Sequence, residues 1–271
     1  MCLLAIASLA QEKADIMVSY TYEFPNYKTG ERSSHNQYIL LANTKESKFY
    51  SPRTEQIDSM KSTPEGVANY NEMTRNAYFG GKMKDIPRAD GSFYVTKSFL
   101  EGKLRHYESV SQDKLMSEET LSPVDWVIGD STKMILGYEC SYASAKLNGR
   151  EWDVWFATDI AIQDGPWKLR GLPGLILEAE TNDGMYHFIA TGVQSTNQPV
   201  GSIYLADQYE KVNRKDLWKA KRAFFDNPLG AINSRYGGGS ITKVTDANGN
   251  DITNQRIYLS REEIDFIETD Y

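Results

Sequence analysis

The chain has 271 residues, of which 40% are hydrophobic and 25% are charged, a composition typical of a soluble globular protein. Its net charge of −7 lacks the basic balance that phosphate-rich partners require, so we exclude nucleic acid and adsorption to anionic membranes. The length suits one large β domain or two small ones, and we favour a single domain over residues 11–271.

The first ten residues are apolar and end in small side chains. Ser8 and Ala10 occupy the −3 and −1 positions of a signal-peptidase site before Gln11. We therefore predict a signal-peptide remnant over 1–10 and export of the mature chain, with a short buried strand as the alternative. No later stretch has the length and apolarity of a transmembrane helix.

Two strands are predicted near the start of the mature chain. Every second residue from Ile16 to Phe24 is apolar or aromatic, the period of a half-buried strand, and 37–42 is a second candidate. Residues 52–89 are polar and irregular, which predicts a long loop or an inserted lobe with one short helix.

Turn signals divide the rest of the chain. Asn-Gly and Asp-Gly pairs favour the positive φ values of tight hairpin turns, so we predict antiparallel hairpins rather than helical crossovers. These pairs are Asp90-Gly91, Asn148-Gly149, Asp183-Gly184 and Asn248-Gly249.

One segment has a helical period. Residues 213–226 carry an apolar stripe, Asn213 can cap the first turn, and Pro228 follows the last turn. The predicted fold is therefore mainly β: an antiparallel, strongly curved sheet or open barrel with one principal packed α-helix.

The most constrained segment runs from Asp164 to Gly174, here called the signature loop (164–174). Pro173 and Gly174 suit the central positions of a type II turn, and a hydrophobic strand follows them. Two interpretations stay open: a structural corner with Trp167 as a core side chain, or a preorganised binding loop. The candidate binding residues are Trp167, Leu172, Pro173 and Gly174, with the strand aromatics Trp152 and Trp155.

Residues 171–176 read Gly-Leu-Pro-Gly-Leu-Ile, and residues 135–140 resemble a strand that precedes this motif. The chain thus resembles the GLPGLI family over about 118–230. We predict a non-enzymatic protein, and the resemblance implies a family without an established activity whose members are exported to the periplasm or cell envelope of a Gram-negative bacterium. It also implies a binding role in support of TonB-dependent outer-membrane transport, with a TonB-dependent transporter or a small ligand as partner.

The residues also allow two alternative functions. Cys140 with His187 would make a cysteine-dependent hydrolase, since a thiol nucleophile needs a nearby base. A curved half-barrel would otherwise make a periplasmic carrier of a lipid or hydrophobic peptide. We predict no metal and no cofactor, because none of the three histidines has another His or a Cys at ligand spacing.

Overall fold

The computed structural model describes residues 12–235, 242–245, 249–253 and 255–271. The signal-peptide remnant predicted over 1–10 lies outside these residues, and so does Asn248 of the last predicted turn.

Twelve strands form one sheet in the order β12-β6-β5-β4-β3-β2-β1-β11-β10-β9-β8-β7. Strands β12 and β7 are its two edges, so the sheet does not close. The strands are β1 Ile16–Phe24, β2 Ser34–Ala42, β3 Glu46–Tyr50, β4 Phe93–Ser98, β5 Lys103–Val110, β6 Asp113–Thr120, β7 Val127–Ile135, β8 Tyr138–Leu147, β9 Arg150–Ala157, β10 Leu175–Thr181, β11 His187–Ser195 and β12 Glu210–Val212.

The mainly β class is confirmed, but the sheet is mixed. Strand β12 pairs with β6 in parallel, while the other pairings of the described strands are antiparallel. A purely antiparallel sheet is therefore a wrong prediction at this edge, because the long segment after β11 returns β12 to the sheet in the direction of β6.

The described residues form four α-helices rather than one: α1 Pro52–Met60, α2 Pro64–Phe79, α3 Arg214–Asp226 and α4 Pro228–Arg235. The loop predicted over 52–89 is wrong, because Ser51-Pro52 and Thr63-Pro64 are helix starts. The Ser51 and Thr63 side chains each accept a backbone N–H of the first turn. No helix in this part of the chain has the length and apolarity to cross a membrane.

The predicted helix at 213–226 is confirmed as α3. The Asn213 side chain accepts the Asp216 N–H at 2.9 Å, and Leu217 and Trp218 are buried on the face that contacts β5 and β6. This contact places α3 beside the buried face of the sheet.

The predicted hairpin turn between β8 and β9 is confirmed, with positive φ at Asn148 and Gly149. The type II turn predicted at Pro173-Gly174 is wrong, because Gly174 has no positive φ and its N–H donates to the Leu172 carbonyl at 2.8 Å. Gly174 is needed for space instead, since a Cβ there would lie 2.2 Å from the Ala157 carbonyl oxygen.

The larger hydrophobic core lies on one face of the sheet, which we call the inner face, and a smaller cluster with Leu41 and Tyr94 packs on the other face. Aromatic rings cover its centre, and Tyr22 stacks on Phe188 with ring centroids 4.5 Å apart. The C-terminal segment 264–268 packs here without regular structure, with Phe266 and Glu268 fully buried. Arg150 donates to the Phe266 carbonyl at 2.7 Å and so satisfies backbone that lacks a strand partner.

Candidate functional site

A buried lysine fixes the signature loop against the sheet. Lys97, on β4, places its Nζ 2.5 Å from Asp164 Oδ1 and donates to the carbonyls of Gly165 and Leu169 at 2.9 and 3.3 Å. Lys97 is 1% exposed and Asp164 is not exposed at all. Because a buried charge needs a partner, this pair ties the loop to the sheet from inside.

Trp167 lies inside the protein in a backbone conformation that large residues avoid. Its φ is +52°, its side chain is fully buried, and its ring lies 5.4 Å from that of Trp152. The side chain of the following residue, Lys168, forms ion pairs with Glu119 and Glu268.

Charged side chains form a continuous network under the inner face. Lys168 Nζ lies 2.6 Å from Glu268 and 2.5 Å from Glu119 of β6. Arg214, at the start of α3, pairs with the other oxygen of Glu268. His106 lies between Glu268, at 3.8 Å, and Glu108, at 3.2 Å.

The network sets the charge of its two buried carboxylates. Burial raises the pKa of Glu268, but Lys168, His106 and Arg214 outweigh burial, and the pKa lies well below its usual range. Burial likewise raises the pKa of Glu108, yet Lys221 and His106 lower it overall. Both carboxylates are therefore ionised at neutral pH and held by neighbouring cations.

Above Glu108 opens a cleft of about 290 Å³ between the inner face and α3, here called the aromatic cleft. Lys221 of α3 pairs with Glu108 at 3.0 Å and lines the same cleft. The polar lining includes Asn36 and Asp90. The aromatic lining consists of Tyr22, Phe24, Tyr27, Tyr38, Phe93, Trp218, Phe224 and Phe225.

The aromatic cleft combines two kinds of recognition chemistry. Its rings offer flat apolar surfaces, whereas carboxylates accept hydrogen bonds and the Asn36 amide can both donate and accept them. The Asn36 amide nitrogen donates to the Asp90 carbonyl, so the two polar residues are held together at the rim. This lining suits a ligand that has both apolar faces and many hydroxyl or amide groups.

The structure does not bring the predicted binding residues together on one surface. Trp152 and Trp167 are fully buried against each other, and Leu172 is buried while Pro173 is exposed. Trp155 lies on the opposite face of β9, where Lys133 Nζ lies 4.5 Å from its ring centroid. A binding role for these residues and Gly174 stays a prediction, while the burial of both tryptophans gives them a packing role.

The candidate nucleophile is enclosed. Cys140 is fully buried, its Sγ donates to the Tyr138 carbonyl at 3.6 Å, and burial raises the thiol pKa to about 11. The proposed base, His187, contacts Glu178 at 3.1 Å and Glu23 at 3.7 Å instead. No Cys140–His187 contact forms among the described residues, and the thiol is protonated at neutral pH.

The network and the cleft were missed from the sequence, although one signal was present. Strand β5 alternates half-buried and buried positions, with His106 and Glu108 on the same face as Leu104 and Val110. Leu104, His106, Glu108 and Val110 occupy every second position of the strand. Since the two outer residues are apolar, the pattern indicates that His106 and Glu108 also face the core. Among the described residues, no group of three His, Cys, Asp or Glu side chains is placed to hold a metal ion.

Comparison with known proteins gives one family match. Residues 94–217, less than half of the chain, match the family described as "N-glycanase peptide, N-terminal domain". None of the curated proteins matches the chain.

The fold has similar solved structures. PNGF-II in space group C2 is 16% identical with a TM-score of 0.50 and covers 77% of this chain, and the chain spans 32% of that protein. PNGF-II in space group P21 is 15% identical with a TM-score of 0.48, with 76% of this chain and 33% of that protein covered. The chain therefore spans about a third of these proteins, and at such low identity the likeness concerns the fold alone.

These findings correct the family and function inferred from the signature loop. The GLPGLI assignment is wrong, because the family model that matches residues 94–217 is that of the N-glycanase N-terminal domain. The inferred function, non-enzymatic binding in support of TonB-dependent transport, is wrong for the same reason, while the location in the cell envelope stays a prediction. Within 171–176, local geometry accounts for Gly174, because a Cβ there would lie 2.2 Å from the Ala157 carbonyl oxygen.

Proposed function

We propose that this chain acts in the processing of N-linked glycans and that its aromatic cleft engages the carbohydrate of a glycopeptide. The observation that carries this proposal is the lining of the cleft, where aromatic rings share one concave surface with Asp90, Glu108 and Asn36. Removal of the glycan by the chain itself belongs to the same proposal and is measured in the same experiment.

The chemistry of the cleft favours sugar over a purely apolar ligand. Pyranose rings have apolar C–H faces that stack on aromatic rings, while their hydroxyl and acetamido groups pair with carboxylates and amides. Asn36 and Asp90 line the cleft, so a lipid chain there would displace water from their polar groups without replacing its hydrogen bonds.

The family match supports the same class of ligand. The matched region, 94–217, includes β5, which carries His106 and Glu108, and the first turns of α3, whose Arg214 joins the network. The export predicted from residues 1–10 fits a protein that meets glycoproteins outside the cytoplasm, and it stays a prediction.

The shape of the sheet supports an enclosed site. Lys168, from the loop before β10, contacts Glu119 of β6, although β6 and β10 are far apart in the strand order. We infer from this contact that the sheet curves around the inner face and forms the walls of the cleft.

The test is a titration of the purified chain with an asparagine-linked core oligosaccharide on a short peptide, followed by calorimetry. The same peptide without the glycan is titrated in parallel, and mass spectrometry of both samples detects released glycan. We expect binding of the glycopeptide and at least about tenfold weaker binding of the bare peptide, a difference of about 1.4 kcal/mol.

Two matched variants locate the binding surface. Phe224→Ala removes a half-buried ring of the cleft, whereas Phe79→Ala removes a ring that is 80% exposed at the end of α2. We expect only Phe224→Ala to weaken glycopeptide binding. Equal binding of the two peptides, or equal effects of the two variants, contradicts the proposal.

A further inference from the structure

A second cleft of about 490 Å³ lies at the other end of the sheet from the aromatic cleft. It adjoins the β2–β3 and β4–β5 turns, at Thr44 and Gly102, whereas the aromatic cleft adjoins the β1–β2 and β5–β6 turns. The outer side of the signature loop lines this second cleft through Gln163, Arg170 and Gly171. We call it the Arg170 cleft.

Arg170 carries a charge that pairs with none of the carboxylates in the part of the chain that the structure describes. Its guanidinium donates to the carbonyls of Lys168 at 2.8 Å and Ser122 at 2.6 Å, and no described carboxylate forms an ion pair with it. The two acids whose charge reaches Arg170 are already paired, Asp164 with Lys97 and Glu119 with Lys168. Burial lowers the pKa of Arg170, which reflects a charged group short of compensation.

The other lining residues of the Arg170 cleft indicate which chemical groups an anionic ligand would carry beside its charge. Phe99, Leu121, Pro123 and Val124 give the cleft an apolar wall. Exposed Gln163 and Thr44 add an amide and a hydroxyl at the rim, which match the N–H and C=O groups of a peptide backbone. A planar guanidinium with free donors suits a carboxylate in particular, because it can bind both oxygens at once.

We propose that the Arg170 cleft binds the C-terminal carboxylate of an apolar peptide, with the carboxylate on Arg170 and the apolar side chains against the wall of Phe99, Leu121 and Val124. This site is separate from the aromatic cleft. It stands whether or not the aromatic cleft binds a glycan, because the two clefts share no lining residue.

The experiment compares two probes on the unmodified chain: N-acetyl-Val-Leu-Phe with a free carboxylate and the same peptide as its C-terminal amide. We expect the free carboxylate to bind at least about tenfold more tightly, since only it can pair with the guanidinium. Octanoate, which has the carboxylate without the peptide groups, is expected to bind more weakly than the free peptide.

Variants assign the effect to Arg170. Arg170→Gln removes the charge and is expected to abolish the preference for the free carboxylate, while Arg75→Gln, at an exposed position on α2, leaves it intact. Circular dichroism checks that Arg170→Gln is folded, and the comparison on the unmodified chain does not depend on that variant. The proposal is overturned if the acid and the amide bind alike, if neither binds at millimolar concentration, or if octanoate binds as tightly as the peptide.

Discussion

Lys97 of β4 and Asp164 of the signature loop form an ion pair of 2.5 Å that is excluded from solvent at both ends. Lys97 also donates to two carbonyls of the same loop, so one side chain satisfies three acceptors. Burial lowers the pKa of Lys97, and the charge of Asp164 opposes that shift. The pair therefore holds the loop only while both members are present.

Removal of one member of this pair is expected to lower the free energy of unfolding. Lys97→Met leaves the Asp164 carboxylate buried without a partner, and we expect a loss of about 3–5 kcal/mol in the free energy of unfolding. Urea unfolding followed by circular dichroism measures this loss. In the matched control Lys45→Met, the lost ion pair with Glu12 is about half exposed, and no measurable change is expected. Equal stability of the two variants contradicts this account of the loop.

Trp167 tests whether the signature loop is structural. Trp167→Ala empties a fully buried site against Trp152 and is expected to cost about 3–5 kcal/mol of unfolding free energy. The control Trp155→Ala removes a partly exposed ring on the opposite face and is expected to cost less than half as much. If Trp167→Ala is as stable as Trp155→Ala, the core role is wrong and the binding interpretation gains support.

Local signals predicted the local elements of this protein well. The alternation over 16–24 and the capped stripe over 213–226 correspond to β1 and α3, because period and capping act within a few residues. The helix starts at Ser51-Pro52 and Thr63-Pro64 carried an equally local signal that was missed.

The site depended on relationships between distant residues. Glu268 meets Lys168, His106 and Arg214 only when the C-terminal segment packs on the inner face, and no periodic pattern links these positions. The aromatic cleft likewise combines β1, β2, β5 and α3. The six residues at 171–176 indicated a constrained loop, but the function inferred from them was wrong. A constrained loop does not by itself specify a ligand.

The buried carboxylate of Glu268 predicts an acid limit of stability. Its folded-state pKa lies below the unfolded value of about 4.3, so the unfolded chain binds more protons in acid. The stabilisation is fully present above about pH 5 and is lost as pH falls through the unfolded value towards the folded-state pKa. Urea unfolding between pH 7 and pH 3 should show a steep decline below about pH 4.

The variant Glu268→Gln distinguishes the contribution of this carboxylate to the acid decline from that of the other acidic residues. The variant is expected to be less stable at pH 7, because Lys168 and Arg214 lose a buried counter-charge, and to decline less steeply in acid. Glu72→Gln, at an exposed position on α2, serves as the control and should keep the full decline. A decline of unchanged steepness in Glu268→Gln rules out this carboxylate as its source.

Gly174 tests the steric explanation of the signature loop. Gly174→Ala would place a Cβ 2.2 Å from the Ala157 carbonyl oxygen, a contact that forces backbone to move. We expect a loss of about 1–3 kcal/mol or more in unfolding free energy, as for other overpacked sites. Gly192→Ala is the matched control on the neighbouring strand β11, where an added Cβ would meet nothing within 4 Å, and we expect little change. Thermal unfolding of both variants decides the point: similar midpoints would mean that the glycine of this motif is required for some reason other than the close approach of β9.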